Sequence, residues 1–168
     1  MNPLNRLVVK TLPLVPKPVV RSIASRYVAG ERLSDAIATV RGLNAEGCMA
    51  TLDVLGEDIV RLDETEATVV EYQRALAEIA ERGVDSNISV KLTALGLKLD
   101  PAHCRRELSR IVETARRYGT FVRIDMEDSS VTEETLRIYF EAREEYERVG
   151  IVLQAYLRRS VCATPRSI

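Results

Sequence analysis

Residues 121–130 read FVRIDMEDSS, an apolar run that ends in three carboxylates gathered around one methionine. Such a run reads as a buried parallel strand whose C-terminal end emerges into solvent or into a ligand pocket. In α/β enzymes that end carries the chemistry. Asp125, Glu127 and Asp128 fall within four residues. They cannot all be buried without partners from elsewhere in the chain, because an unpaired buried charge is strongly penalised. The stretch by itself equally allows a strand that runs out into a solvated acidic loop.

Working outward, the same rhythm recurs. CMATLDVLGE (48–57) is a compact apolar run followed by a helical pattern over 64–82, which Gly83 closes. NISVKLTALGL (87–97) is followed by a helix over 101–118, with Asp100 as N-cap, Pro101 at its first position and Gly119 after it. After FVRIDMEDSS, Thr132, Glu133 and Glu134 open a third helix to about 149, and Gly150 leads into IVLQAYLRRS (151–160). Four strands alternating with three helices predict a parallel sheet built from βαβ units. Upstream, residues 1–45 read as an all-helical preface. It has short helices over 4–12, 18–28 and 34–44, the last capped by Ser34, with breaks at Pro13, Pro16 and Pro18.

No GxGxxG or GxxxxGK[ST] follows the first strand, so the phosphate-cradling loops of dinucleotide and P-loop folds are not expected. The expected fold is α/β, a (β/α)8 barrel of the TIM type with N-terminal helices. Such a barrel needs eight strands and about 250 residues, and this chain of 168 provides four, a half-barrel. Four parallel strands are expected to leave two sheet edges and an uncovered apolar layer.

Composition narrows the function classes. With 24 basic and 25 acidic residues there is no electrostatic footprint for nucleic acid. Cys48, Cys104 and Cys162 are widely spaced and odd in number, which suggests neither a disulfide framework nor a zinc site and fits a reducing cytoplasm. No run approaches a membrane span, so the expectation is a soluble or at most peripheral protein. His103 has no second histidine with which to form a metal set, and Cys48 and Cys104 read as small core residues. Arg105-Arg106, Arg116-Arg117 and Glu144-Glu145 read as solvated helix faces.

Polar residues collect towards the C-terminal ends of the four runs: Asp53 and Glu57, Lys91, Asp125 with Glu127 and Asp128, then Gln154 and Tyr156. In a barrel these ends converge on one face. Lys91 stands alone in the apolar run SVKLTALGL and needs a carboxylate, which Asp125 on the adjacent strand could supply. The other reading is a lysine that points outward and snorkels along a helix.

LDVLGE, SVKLTALGL, RIDMEDSSVTEETL and GIVLQAYLRRS, in this order and preceded by helices ending in YVAGE, closely resemble the bacterial proline dehydrogenase family from about residue 20 to 160. The resemblance implies a distorted (β/α)8 barrel that holds FAD at its C-terminal strand ends, oxidises L-proline to 1-pyrroline-5-carboxylate and passes electrons to a membrane quinone. It also implies a cytoplasmic enzyme, peripheral at the inner membrane. By the same resemblance Lys91 lies beside the flavin and the proline, and Asp125 is its catalytic neighbour. Met126 and Gln154 contact FAD, and Glu57 is the carboxylate that gates the pocket. No metal is implied.

The family's later features have no counterpart in this chain: a basic residue on the flavin, residues for the pyrophosphate and adenine, and an arginine pair for the substrate carboxylate. The pattern stops at Ser160, and VCATPRSI (161–168) reads as an out-of-frame tail or a premature stop. The expected organisation is therefore 1–45 helical, 46–160 half-barrel and 161–168 aberrant. The expected activity is proline dehydrogenase by family, in a copy that is incomplete and inactive alone. The competing reading is a non-catalytic half-barrel module that pairs with another chain.

Overall fold

The computed structural model describes residues 32–56 and 59–155. The expected helices over 4–12 and 18–28, Glu57, Tyr156 and the tail 161–168 lie outside the described residues. The chain divides into two compact units, 1–39 and 40–168. In the first unit the described residues open helix α1 (Leu33–Ala45), which places Ser34 inside the first turn rather than at the cap.

In the second unit, β1 (Ala50–Asp53), β2 (Ser86–Val90), β3 (Val122–Ile124) and β4 (Val149–Ile151) form one sheet in sequence order. Every neighbouring pair is parallel, as the alternating pattern predicts. Between the strands run α2 (Thr65–Arg82), α3 (Pro101–Tyr118) and α4 (Thr132–Glu145). The α2 helix packs on β2 and α3, and α3 packs on α4.

The core follows from two periodicities. Val69, Tyr72, Leu76 and Ile79 recur at helical spacing on α2, Leu108, Ile111, Val112 and Ala115 on α3, and all are buried. They meet Ile88, Val90, Val122, Ile124 and Val149, which alternate along the strands and are fully buried. Each such aliphatic side chain contributes about 1.5–3 kcal/mol by leaving water. The α3 helix starts as its sequence requires: Asp100 accepts from the Ala102 and His103 N–H groups at 2.9 and 3.0 Å, with Pro101 in the first turn. Asn44 pins the end of α1. Its side chain donates to Cys48 O at 2.8 Å and Asp85 O at 3.0 Å, and accepts from the Asp85 N–H at 2.8 Å.

The structure departs from the sequence reading in five further places. SVKLTALGL is not one strand: β2 ends at Val90 and Leu92–Leu95 turn into a 3-10 helix whose four residues are all buried. A short apolar run buried on every side gives no periodicity that separates strand from helical turn. The α4 helix ends at Glu145 rather than near 149, and β4 begins at Val149. Between them Tyr146 is extended, with its hydroxyl donating to Thr120 O at 3.1 Å. Arg105 is not a solvated charge but bridges α3 to α4 through Glu141 at 3.0 Å and Glu145 at 2.5 Å. Cys48 is exposed, whereas Cys104 is buried as expected, and burial pushes its thiol up to about 12.

The fifth difference concerns the sheet face opposite the buried aliphatics. Register places Asp53 beside Ser89, Ser89 beside Arg123 and Arg123 beside Gly150, one polar row where an apolar layer was expected. Gly150 is small for a reason, since the Phe121 ring occupies the space a side chain would take. At Gly96 the backbone adopts φ 89° to close the 3-10 turn, and a methyl there would sit 2.9 Å from Leu62 Cδ2.

Gly96→Ala is therefore expected to lower stability by about 1–2 kcal/mol, the cost of a left-handed non-glycine residue. Gly42→Ala, inside α1 with nothing within 4 Å of the added carbon, is expected to raise it by about 0.5–1 kcal/mol. Urea unfolding midpoints of the two variants check both signs.

Candidate functional site

The polar row continues past the strand ends. Lys91 follows Ser89 by two residues and Asp125 follows Arg123 by two, so strand alternation sends both side chains towards the face that carries the row. There the Lys91 ammonium forms an ion pair with Asp53 Oδ2, the two side chains 18% and 29% exposed. The carboxylate that meets Lys91 is thus the one at the end of β1, not Asp125 as the adjacent-strand expectation had it. Asp125 instead accepts from Ser89 Oγ at 2.5 Å and lies 3.9 Å from Arg123 Nε. Lys91 takes the inward course and not the outward, snorkelling one.

The other two carboxylates of the MED run are also answered. Glu127 accepts from the Thr93 N–H at 3.0 Å and from the Thr93 hydroxyl, and Thr93 is itself buried. This ties the loop after β3 to the 3-10 turn that follows Lys91. Asp128 pairs with Lys98 at 2.8 Å and accepts from the Ser130 N–H at 2.8 Å and from its hydroxyl. The Lys98 ammonium first, then Ser130, hold its carboxyl down at about 2. The acidic stretch is therefore partnered along its whole length and is not a loose solvated loop.

Met126 is buried, and its carbonyl accepts from Gln154 Nε2 at 3.1 Å. The structure thus brings together the two residues singled out for FAD contact. The backbone continues the pairing beyond the formal strands, with the Asp125 N–H on Val90 O and the Val152 N–H on Ile124 O, each at 2.9 Å. Four segments carrying Asp53, Lys91, Asp125–Met126 and Gln154 are locked side by side. Glu57, the expected gate, lies outside the described residues.

Sequence reasoning missed three partners. Ser89 and Thr93 flank Lys91 in NISVKLT, where alternation with Lys91 was the available signal for Ser89. The third is Tyr72, fully buried on α2, whose hydroxyl lies 2.8 Å from Ser89 O and 3.2 Å from Asp53 Oδ1. Its signal was a phenol in mid-helix, between Val69 and Leu76 on the buried stripe. Among the described residues no three His, Cys, Asp or Glu side chains cluster as a metal site. His103 Nε2 is 2.9 Å from Thr65 Oγ1, a contact between α2 and α3. A cavity of about 280 Å³ bounded by Gly83, Ser86, Asn87, Gly119, Phe121 and Arg148 opens at the N-terminal strand ends, remote from this site.

The sequence and the fold both have counterparts among known proteins. The sequence model described as proline dehydrogenase matches residues 36–164. The chain is 41% identical over 137 residues to proline dehydrogenase 1 of Bacillus subtilis (strain 168), covering 82% of this chain and 45% of that protein. It is 31% identical over 182 residues to the bifunctional protein PutA of Escherichia coli (strain K12), covering 93% of this chain and 14% of that protein. The fold superposes with a TM-score of 0.78 at 25% identity on proline utilization A of Bdellovibrio bacteriovorus inactivated by N-propargylglycine, covering 86% of this chain and 18% of that one. The chain spans less than half the length of the curated relatives it matches.

A carboxyl whose folded value is depressed adds stability above its unfolded value and loses it as pH falls through the folded one. Asp128 starts from 3.8 and is held at about 2, so its contribution is complete above about pH 4 and gone near pH 2. Carbon NMR of the Asp128 carboxyl is expected to titrate near 2. In Lys98→Ala it is expected to move up towards the ordinary carboxylate range, and an unmoved titration would remove Lys98 as the main cause.

Proposed function

The chain belongs to the proline dehydrogenase family, and on that premise we propose that it forms part of the site at which an FAD-dependent enzyme oxidises L-proline to 1-pyrroline-5-carboxylate. The electrons then pass to a quinone met at the membrane surface. The observation that carries this reading is the Lys91–Asp53 ion pair on the same rim as Asp125 and Gln154. It sets a fixed cation on a rim that also offers a polar amide.

The residues present fit a flavin. An isoalloxazine ring offers both donors and acceptors along one edge, and the Gln154 amide can answer both kinds. Its position is fixed by donation to Met126 O. Lys91 would be the positive complement to the charge such a ring takes up on reduction. Met126 and Gln154 would hold the ring, and Lys91 would lie beside both ring and substrate. When bound, FAD supplies two-electron oxidation of the carbon–nitrogen bond.

The chain's own residues do the rest. Asp53 keeps Lys91 aimed, so the site has a preorganised cation that costs no reorganisation when charge develops. The same cation disfavours protonation of the proline amine, and only the neutral amine can lose hydride from the adjacent carbon. Asp125, oriented by Ser89 and near Arg123, offers a carboxylate beside this region. The described helices include none long and apolar enough to cross a membrane, so the quinone would be reached peripherally.

Carried in a complete barrel, the site is expected to show flavin absorbance and to reduce an acceptor dye when proline is added, whereas residues 1–168 alone, with four strands of the eight, are expected to hold flavin poorly and to be inert. Lys91→Met is expected to lower turnover ~10²-fold, the typical loss for a preorganised charge, and Asp125→Ala to lower it similarly. In both, turnover is expected to fall by much more than stability, although each leaves a partner behind, Asp53 in the first and the Ser89 hydroxyl in the second. A complete barrel that stays colourless and inert to proline would contradict the reading, and a colourless stable oligomer of residues 1–168 would favour a module that pairs with another chain.

A further inference from the structure

Tyr72 comes from the helix layer, and its side chain is fully buried. A phenylalanine would fill the same space, and a buried hydroxyl carries a desolvation cost unless it is hydrogen-bonded. What that hydroxyl meets is the candidate site. It lies 3.2 Å from Asp53 Oδ1 and 2.8 Å from Ser89 O, within donating reach of both. The other oxygen of Asp53 is the one paired with Lys91, and the hydroxyl of Ser89 donates to Asp125. A single phenol therefore touches the two segments that orient the two candidate catalytic residues.

We infer that Tyr72 is a positioning residue for Lys91: by tethering one oxygen of Asp53 it fixes the carboxylate plane so that the other oxygen faces the ammonium. This rests on the functional reading above for its effect on turnover, but not for its effect on Lys91 itself. Asp53 is more exposed than Lys91, 29% against 18%, and a carboxylate at a strand end with one free oxygen would swing towards water. The tether holds it. Burial and the neighbouring Asp53 raise the phenol well above its ordinary value, so it stays a neutral donor throughout the working pH range. Among the described residues, the charged groups facing Lys91 and Tyr72 include Asp53 on β1 and Arg123 and Asp125 on and after β3. A structural role alone, satisfaction of the Ser89 carbonyl, would leave Lys91 indifferent to the loss of the hydroxyl.

The test is the pH titration of the Lys91 Cε carbon resonance in the intact protein, compared with Tyr72→Phe and Asp53→Asn. Both variants are expected to move the Lys91 titration to lower pH, Asp53→Asn further, since Asp53→Asn removes the anion that favours the ammonium and Tyr72→Phe lets that anion turn away from it. Proline turnover in Tyr72→Phe is expected to fall about tenfold, the scale of a slightly misplaced group. An unmoved Lys91 titration in Tyr72→Phe would overturn the inference, whatever happens to stability. Should Tyr72→Phe fail to fold, site-specific 3-fluorotyrosine at 72, a stronger donor of the same shape, is expected to move the titration as well, and no movement there overturns it equally. Shifted titrations in a protein that does not oxidise proline would support the positioning role and contradict the enzyme reading, which keeps the two failures apart.

Discussion

A parallel strand that packs helices on one face must send every second side chain to the other, and the rest of this structure follows from that constraint. Ile88, Val90, Val122 and Ile124 go to the helices and are fully buried. Ser89, Arg123 and the residues two places on, Lys91 and Asp125, then have one place to go. Register does the remainder, setting Asp53 beside Ser89 and Ser89 beside Arg123. Charges of opposite sign from three consecutive segments meet because the aliphatic residues between them are held elsewhere.

Partly buried charge has to be answered, and the answers tie the strand ends together. Lys91 meets Asp53, Asp125 meets Ser89, Glu127 meets Thr93 and Asp128 meets Lys98. Each of these links joins two different segments, so they fix the strand-end loops that would otherwise move freely. A surface pair such as Lys98–Asp128 contributes little stability on its own. The more buried links at Thr93 and Tyr72 constrain geometry more tightly, because an unsatisfied group at either place would be costly. A site that must present one cation at one angle needs this kind of support from groups that do not themselves touch substrate.

Much of this was legible in the sequence. Alternating runs gave the four strands and their parallel order, and Asp100-Pro101 marked a helix start that the structure reproduces. Lys91 in an apolar run and the crowded carboxylates after Ile124 marked the site. Which carboxylate meets which base was not legible, because it depends on register and strand twist and not on sequence distance. Both β1 and β3 neighbour β2, so strand order alone placed Asp53 and Asp125 equally close to Lys91, and it is Asp53 that reaches the ammonium. Tyr72 was hidden for a different reason. On a helix stripe of Val69, Leu76 and Ile79 it counts as a core residue, and only the end of its ring reveals the second task.

The central claim is that Asp53 acts on proline oxidation through Lys91 and not independently of it. A double-mutant cycle on turnover tests this most directly, with Asp53→Asn, Lys91→Met and the two combined in the intact protein. The account predicts strong non-additivity: once Lys91 is removed, removal of the Asp53 charge costs little more. Additive losses, with the double variant slower than either single variant by the full product of their effects, would contradict it.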